Sequence, residues 1–236
     1  MNYKLPFQII DPEICGIISR EVQKQEIEVY CASRKHLKEM AAVALQIRTR
    51  GLPAYLVRKK LPGPLGDGIF LHPDAQPIAK DKVIAPYAGV VKLEPQSKPD
   101  SSAYTFELIG DIHLSKEEHR NLIAGVLFHS RRLYGLSLSA ERRGNFTRYI
   151  NHSEKPNVVA HLVQIPDNPY GMHPAPLQIV YFAKKIILPG EQLLVCYEDG
   201  EKSYWNSLQV KPFPMTPRTL MLDESLQLKS PRRLKF

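Results

Sequence analysis

The stretch Arg148-Tyr149-Ile150-Asn151-His152-Ser153, continued by Pro156-Asn157 and answered further along by Gly190-Glu191-Gln192-Leu193-Leu194-Val195-Cys196-Tyr197, decides how this chain is read. The first segment sets an arginine, an asparagine, a histidine and a serine around only two apolar residues. It therefore offers hydrogen-bond donors and acceptors to a ligand rather than a packing surface. The second is a tight turn, a short apolar run and a terminal tyrosine. Pro189-Gly190 suits a type II turn, because proline presets its dihedral angle and glycine accepts a positive one. Flanked by the runs 178–187 and 192–197, it predicts a hairpin that holds Tyr197 in place.

Working outward, Ser33 can cap a helix whose positions Leu37, Met40, Ala41, Ala44 and Leu45 share a face, with Gly51 and Pro53 ending it. After the turn-rich segment 61–68, Ile69-Phe70, 83–87 and 104–109 read as short strands. A capping box at Ser115 and Glu118 starts a second helix, with Leu122, Ile123, Val126 and Leu127 on its buried side and Gly135 closing the element. Short strands broken by irregular turns predict a β-rich α+β fold of small sheets.

The two opening motifs resemble the signatures of SET-domain protein-lysine methyltransferases, R-F-x-N-H-S-C-x-P-N and G-E-E-L-x-x-x-Y, and they occur in that family's order. The resemblance covers residues 61–205, with an insert at about 112–136, and implies a SET fold with a knot-like C-terminal core. A helical lead-in, 1–60, precedes it, and a basic, proline-containing tail, 206–236, follows. It also implies S-adenosyl-L-methionine as methyl donor. On the family's pattern, Gly66-Asp67-Gly68 corresponds to a cofactor-binding G-x-G, where missing side chains let the backbone approach a ligand. Arg148, Asn151 and His152 correspond to cofactor contacts, with Tyr104 at the cofactor edge and Trp205, or Phe213, as a stacking wall. Tyr197 corresponds to the tyrosine that orients the amine, and Tyr87 to the one lining the lysine channel.

Glu154 stands where many members carry a zinc-binding cysteine, and no cysteine cluster follows Tyr197, so no metal is expected. Ala160 and Val195 occupy places where some members carry an extra tyrosine that limits transfer to one methyl, so the channel is expected to admit more than one. The arrangement looks like that of compact bacterial SET proteins of the chlamydial kind. This implies a bacterial cytoplasmic enzyme, or an exported one acting in a host nucleus, on lysines of histones or histone-like proteins. A catalytically weak SET module that binds protein or chromatin is the alternative.

Composition agrees with an enzyme-sized unit. The 236 residues carry a net charge of +8 and three scattered cysteines, which form no disulfide framework. No run of about 18 apolar residues exists to span a bilayer, and no secretory signal pattern opens the chain. The charge is uneven: lysines and arginines outnumber acids 11 to 6 in residues 1–60 and 6 to 2 in residues 206–236, while the centre is near neutral. Basic ends can attract nucleic acid, an acidic protein or an anionic membrane surface. For a basic protein substrate, either acidic residues such as Glu117, Glu118 or Asp199 line the peptide groove, or the flanks dock on the DNA of a nucleoprotein.

Overall fold

The computed structural model describes residues 12–62, 66–96, 105–123, 129, 131–164, 177–197 and 215–220. Among them are three helices and three small sheets, the β-rich α+β arrangement that was expected. The largest sheet runs in the order β4 (Val83–Pro86), β10 (Leu177–Ala183), β9 (Val158–Gln164), β11 (Leu194–Val195) and β8 (Asn151–His152), and β1 (Tyr30–Cys31) pairs with the far end of β9. A hairpin is formed by β2 (Leu56–Lys60) and β3 (Asp67–Leu71). A third sheet has the order β5 (Val90–Pro95), β7 (Leu133–Ser139) and β6 (Thr105–His113).

Every residue of β10 is buried, because both faces of its sheet are covered. Val180 and Phe182 face helix α2 (Arg34–Arg50) and pack with Leu37, Met40 and Ala44. Ile179, Tyr181 and Ala183 face the opposite cluster, with Ile69, Leu71, Tyr87 and Val195. Helix α2 begins where the Ser33 hydroxyl accepts the His36 N–H, and it ends at Gly51, whose φ of 75° lets its N–H reach the Ile47 carbonyl. Its buried stripe is Leu37, Met40, Val43, Ala44 and Ile47. Leu45, expected inside, is 51% exposed, since the stripe centres one position away. Met40 is fully buried, and burial of such a side chain contributes roughly 1.5–3 kcal/mol.

Helix α1 (Pro12–Lys24) lays Cys15, Ile17 and Ile18 on the third sheet. It is also tied to helix α3 (Lys116–Leu122) by Arg20, whose guanidinium donates to the Glu118 carboxylate. Glu118 completes the expected capping box with Ser115. Burial raises the Glu118 pKa, but the Ser115 N–H, Arg20 and the Ser115 hydroxyl outweigh it and hold the carboxyl below its ordinary value. The residue thus joins two helices. Gly135 closes no helix: α3 ends at Leu122, and Gly135 lies within β7 opposite Glu94.

The expected hairpin between 178–187 and 192–197 does not form. The turn is there, with Gly190 at φ 80° and the Glu191 N–H donating to the Leu188 carbonyl. The chain beyond it pairs instead with β3, through Leu71 N–H to Glu191 O and Leu193 N–H to Ile69 O. β11 then runs parallel to β8 and β9. β2 lies before the expected boundary at residue 61 and pairs with β3 beyond it.

Candidate active site

The short strands β8 and β11 lie side by side, with Leu194 opposite Asn151 and Val195 opposite His152. Two residues could not hold such a pairing alone, and Asn157 reinforces it. Fully buried, it donates from Nδ2 to the Gln192 carbonyl at 2.9 Å and accepts the Leu194 N–H on Oδ1 at 2.8 Å. Its own N–H donates to the Leu194 carbonyl. Ser153 adds a hydroxyl bond to the Met215 carbonyl, which brings the segment 215–220 onto the same loop.

This pairing carries Tyr197 to His152. The Tyr197 N–H donates to His152 Nδ1 at 3.0 Å, so a neutral His152 carries its proton on Nε2. The Tyr197 hydroxyl donates to the Ile150 carbonyl at 2.8 Å, and the two rings lie 5.4 Å apart. Both ends of the tyrosine are therefore anchored on the first motif. Asn151 links the motif to the hairpin, donating from Nδ2 to the Asp67 carbonyl at 2.9 Å. The Asp67 carboxylate pairs with Arg58, whose guanidinium carbon sits 3.8 Å above the Tyr149 ring centre.

The glycines flanking Asp67 serve different ends. Gly66 has a φ of 69° and open space where a Cβ would project, and its carbonyl accepts the Leu61 N–H to close the loop. At Gly68, a Cβ would lie 2.7 Å from Gln192 Nε2 and 3.1 Å from Leu61, so the missing side chain also makes room for the protein's own packing.

Tyr87 approaches from β4. It is buried beside Phe106 and Tyr181, with ring centres 6.0 and 5.7 Å away. Burial pushes its phenol well above the ordinary tyrosine value, and the Arg148 charge only partly offsets this. Arg148 Nη1 donates to the Glu141 carbonyl. Two residues that the sequence reading overlooked fix Tyr87. Asn145 donates to the Pro86 carbonyl at 2.8 Å while its Oδ1 caps the 3-10 turn Phe146–Tyr149, and Gln178 donates to the Tyr87 carbonyl at 2.9 Å. An asparagine that can cap a turn just before Phe146 was the available signal for the first; Gln178 left none. Gly89 follows closely, and a Cβ there would meet the Ser139 carbonyl oxygen and carbon at 2.8 and 2.9 Å. Backbone cannot step aside as a side chain can. Gly89→Ala is expected to cost about 1–3 kcal/mol, read as a lowered denaturation midpoint; an unchanged midpoint would contradict that packing.

Of the residues singled out by sequence, Asn151 meets Asp67, between Gly66 and Gly68, and His152 meets Tyr197, while Tyr87 and Arg148 interact electrostatically. Tyr104, Trp205 and Phe213 lie outside the described residues. A cavity of about 420 Å³, lined by Lys59, Lys60, Leu61, Pro62, Phe70 and Leu220, includes none of Tyr87, Asn151, His152 or Tyr197. The hydrogen-bonded convergence of motifs, not that cavity, marks the candidate site.

Residues 75–198 match the family described as SET domain. No curated protein matches the sequence. Among solved structures, ATXR5 in complex with a mono-methylated histone H3.1 is 15% identical and superposes with a TM-score of 0.52, covering 85% of this chain and 96% of that one, a likeness of fold. Two structures of KRYPTONITE, one with mCHH DNA, an H3 peptide and SAH and one with mCHG DNA and SAH, are 22% and 21% identical over 64% and 68% of this chain, with TM-scores of 0.41 and 0.42. The match spans 24% and 26% of those two chains.

Proposed function

The chain belongs to the SET-domain family, and on that premise we propose that it is a protein-lysine N-methyltransferase using S-adenosyl-L-methionine, with histones or histone-like basic proteins as its substrates. The observation that carries this reading is the bond from the Tyr197 main chain to His152, which brings the two motifs together beside Asn151 and Asp67.

The acceptor amine sets the chemical problem. Lysine titrates near 10.4, so presenting it neutral at pH 7 costs on the order of 4.6 kcal/mol. A wall containing an anion would make this worse, by favouring the ammonium form. Burial does the opposite here. It holds the Tyr87 and Tyr181 phenols in their uncharged form, so they offer oxygen lone pairs and apolar faces without a negative charge. Tyr197, pinned by the Ile150 carbonyl, orients the amine.

When bound, S-adenosyl-L-methionine supplies an electrophilic methyl on a cationic sulfur. The residues present suit such a ligand: the open side of Gly66, the Arg58–Asp67 ion pair for its charged ends, and the Asn151 and His152 segment beside aromatic rings. We assign Gly66, Asp67, Gly68, Arg148, Asn151 and His152 to its binding, with Tyr104, Trp205 and the Tyr197 ring beside them. The basic ends of the chain suit contact with the nucleic acid of a nucleoprotein substrate. No helix among the described residues is long and apolar enough to cross a membrane. Resemblance to compact bacterial SET proteins favours a bacterial cytoplasm, or a host nucleus after export, as the place of action.

Calorimetry with S-adenosyl-L-methionine tests the cofactor half of this reading. The full chain is expected to bind, and Asn151→Ala to bind about tenfold more weakly, roughly 1.4 kcal/mol. Absence of binding by the parent chain would remove the assignment. Binding without transfer to any protein would favour the alternative, a SET module that recognises chromatin without turnover.

A further inference from the structure

Helix α2 turns one side to the core and leaves the other to solvent. Leu37 and Met40 pack with Val83 and Phe182, while Arg34, Lys35 and Lys38 on the same turns are exposed. No acid stands in the first turn of the helix to balance them, and cations there oppose the helix dipole, so the helix itself does not call for them. Glu39, the one acid of α2, is already occupied: its carboxylate accepts Lys82 Nζ at 2.8 Å and the Val83 N–H at 3.2 Å. This ion pair holds the loop ahead of β4 against the helix. The Ala183 N–H donates to the Lys82 carbonyl, which joins the end of β10 to the same loop. Lys184 and Lys185 follow, both exposed, and Lys184 lies two residues past Phe182, whose ring centre is 5.4 Å from that of His36. Three segments distant in the chain, 34–39, 80–82 and 184–185, therefore meet at one end of the largest sheet. They carry seven lysines and arginines against two acids, Glu39 and Asp81. Like charges gathered on one face repel one another, and a bound polyanion relieves that repulsion.

Resting on the nucleoprotein substrate of the reading above, we propose that this face, built by Arg34, Lys35, Lys38, Lys82, Lys184 and Lys185, binds the phosphate backbone of duplex DNA and holds the enzyme on its substrate. Four of the six are on segments that only the fold brings together or that lie outside the basic chain ends, so the contact is a formed surface and not a property of the ends alone. A duplex carries about one charge per 1.7 Å of its axis, a density that suits several cations spread over two elements. Lysine ammonium groups meet phosphate as point charges. The face therefore takes duplexes without regard to base sequence, and sets position on the DNA while the convergence of β8 and β11 is left free for the acceptor lysine.

Lys38→Gln, Lys184→Gln and Lys185→Gln combined remove three charges from exposed positions and leave the Glu39 ion pair in place. Binding of the full chain and of this variant to a short DNA duplex of mixed sequence would be followed by fluorescence anisotropy over a series of salt concentrations. The variant is expected to bind at least about tenfold more weakly, with the slope of log K against log salt shallower by about 2–3, and to melt within about 2 °C of the parent. A control that neutralises Lys229, Arg232 and Arg233 in the C-terminal basic end should lose less. No binding of duplex by the parent overturns the proposal, as does a face variant that binds like the parent, or a parent that binds poly-glutamate more tightly than duplex, which would assign the face to an acidic protein. With S-adenosyl-L-methionine present, the ratio of methyl transfer to nucleosomes over free core histones is expected to fall at least about fivefold in the variant; an unchanged ratio overturns the claim that the face holds the substrate. Absence of any transfer by the parent is a separate result, which removes the function proposed above and leaves the duplex measurements to decide the binding face.

Discussion

Replacing Tyr197 by phenylalanine is expected to lower methyl transfer to protein lysine by at least about tenfold, roughly 1.4 kcal/mol of barrier, while leaving the fold and cofactor affinity nearly intact. The asymmetry follows from how the residue is held. Its main-chain N–H is bonded to His152 and its strand is paired with β8, and neither contact involves the phenol oxygen. Removing that oxygen costs one hydrogen bond to the Ile150 carbonyl, about 1 kcal/mol of stability. The ring remains 5.4 Å from His152. What disappears is the hydroxyl proposed to orient the amine, so the loss should fall on kcat. A variant as active as the parent would show that the hydroxyl orients nothing, and a variant that loses cofactor binding would assign it a different role.

Asn157→Ala should act by the opposite route, through stability. The side chain is fully buried and satisfies two backbone groups of the 192–194 segment, the Gln192 carbonyl and the Leu194 N–H. Truncation leaves both without their partner in a site that water cannot readily enter. At roughly 1–3 kcal/mol for each orphaned group, the cost is about 3–4 kcal/mol. For a chain of this size that corresponds to a fall in melting temperature of about 10 °C. Activity should fall as well, because β11 carries Tyr197 and loses its clamp. A melting temperature within about 2 °C of the parent would mean that the short strands are held by something other than Asn157.

The two predictions also show which features were legible in advance. Ser33 and Gly51, and Ser115 with Glu118, mark helix ends through local chemistry, and the structure uses them so. The meeting of His152 with Tyr197 was legible only because two separate motifs implied it. The route was not legible. Pro189-Gly190 between two apolar runs favours a hairpin locally, yet β10 is buried on both faces and shows no alternation that could name its partner strand. The parallel pairing of β11 with β8 is a long-range choice, made by Asn157 and by β3, which takes up the chain just after the turn. The packing of Gly68 against Gln192 was not legible either, because the two are distant in sequence.

The central claim is that the crossing of β8 and β11 builds a site for methyl transfer to a lysine amine. Its most direct test incubates the full chain with S-adenosyl-L-methionine bearing a heavy-isotope methyl group, together with core histones and basic nucleoid proteins, and locates the label by mass spectrometry. The account predicts heavy methyl on lysine side-chain nitrogen, with the yield cut at least about tenfold by Tyr197→Phe. Label on no protein despite cofactor binding, or label on residues other than lysine, would contradict it.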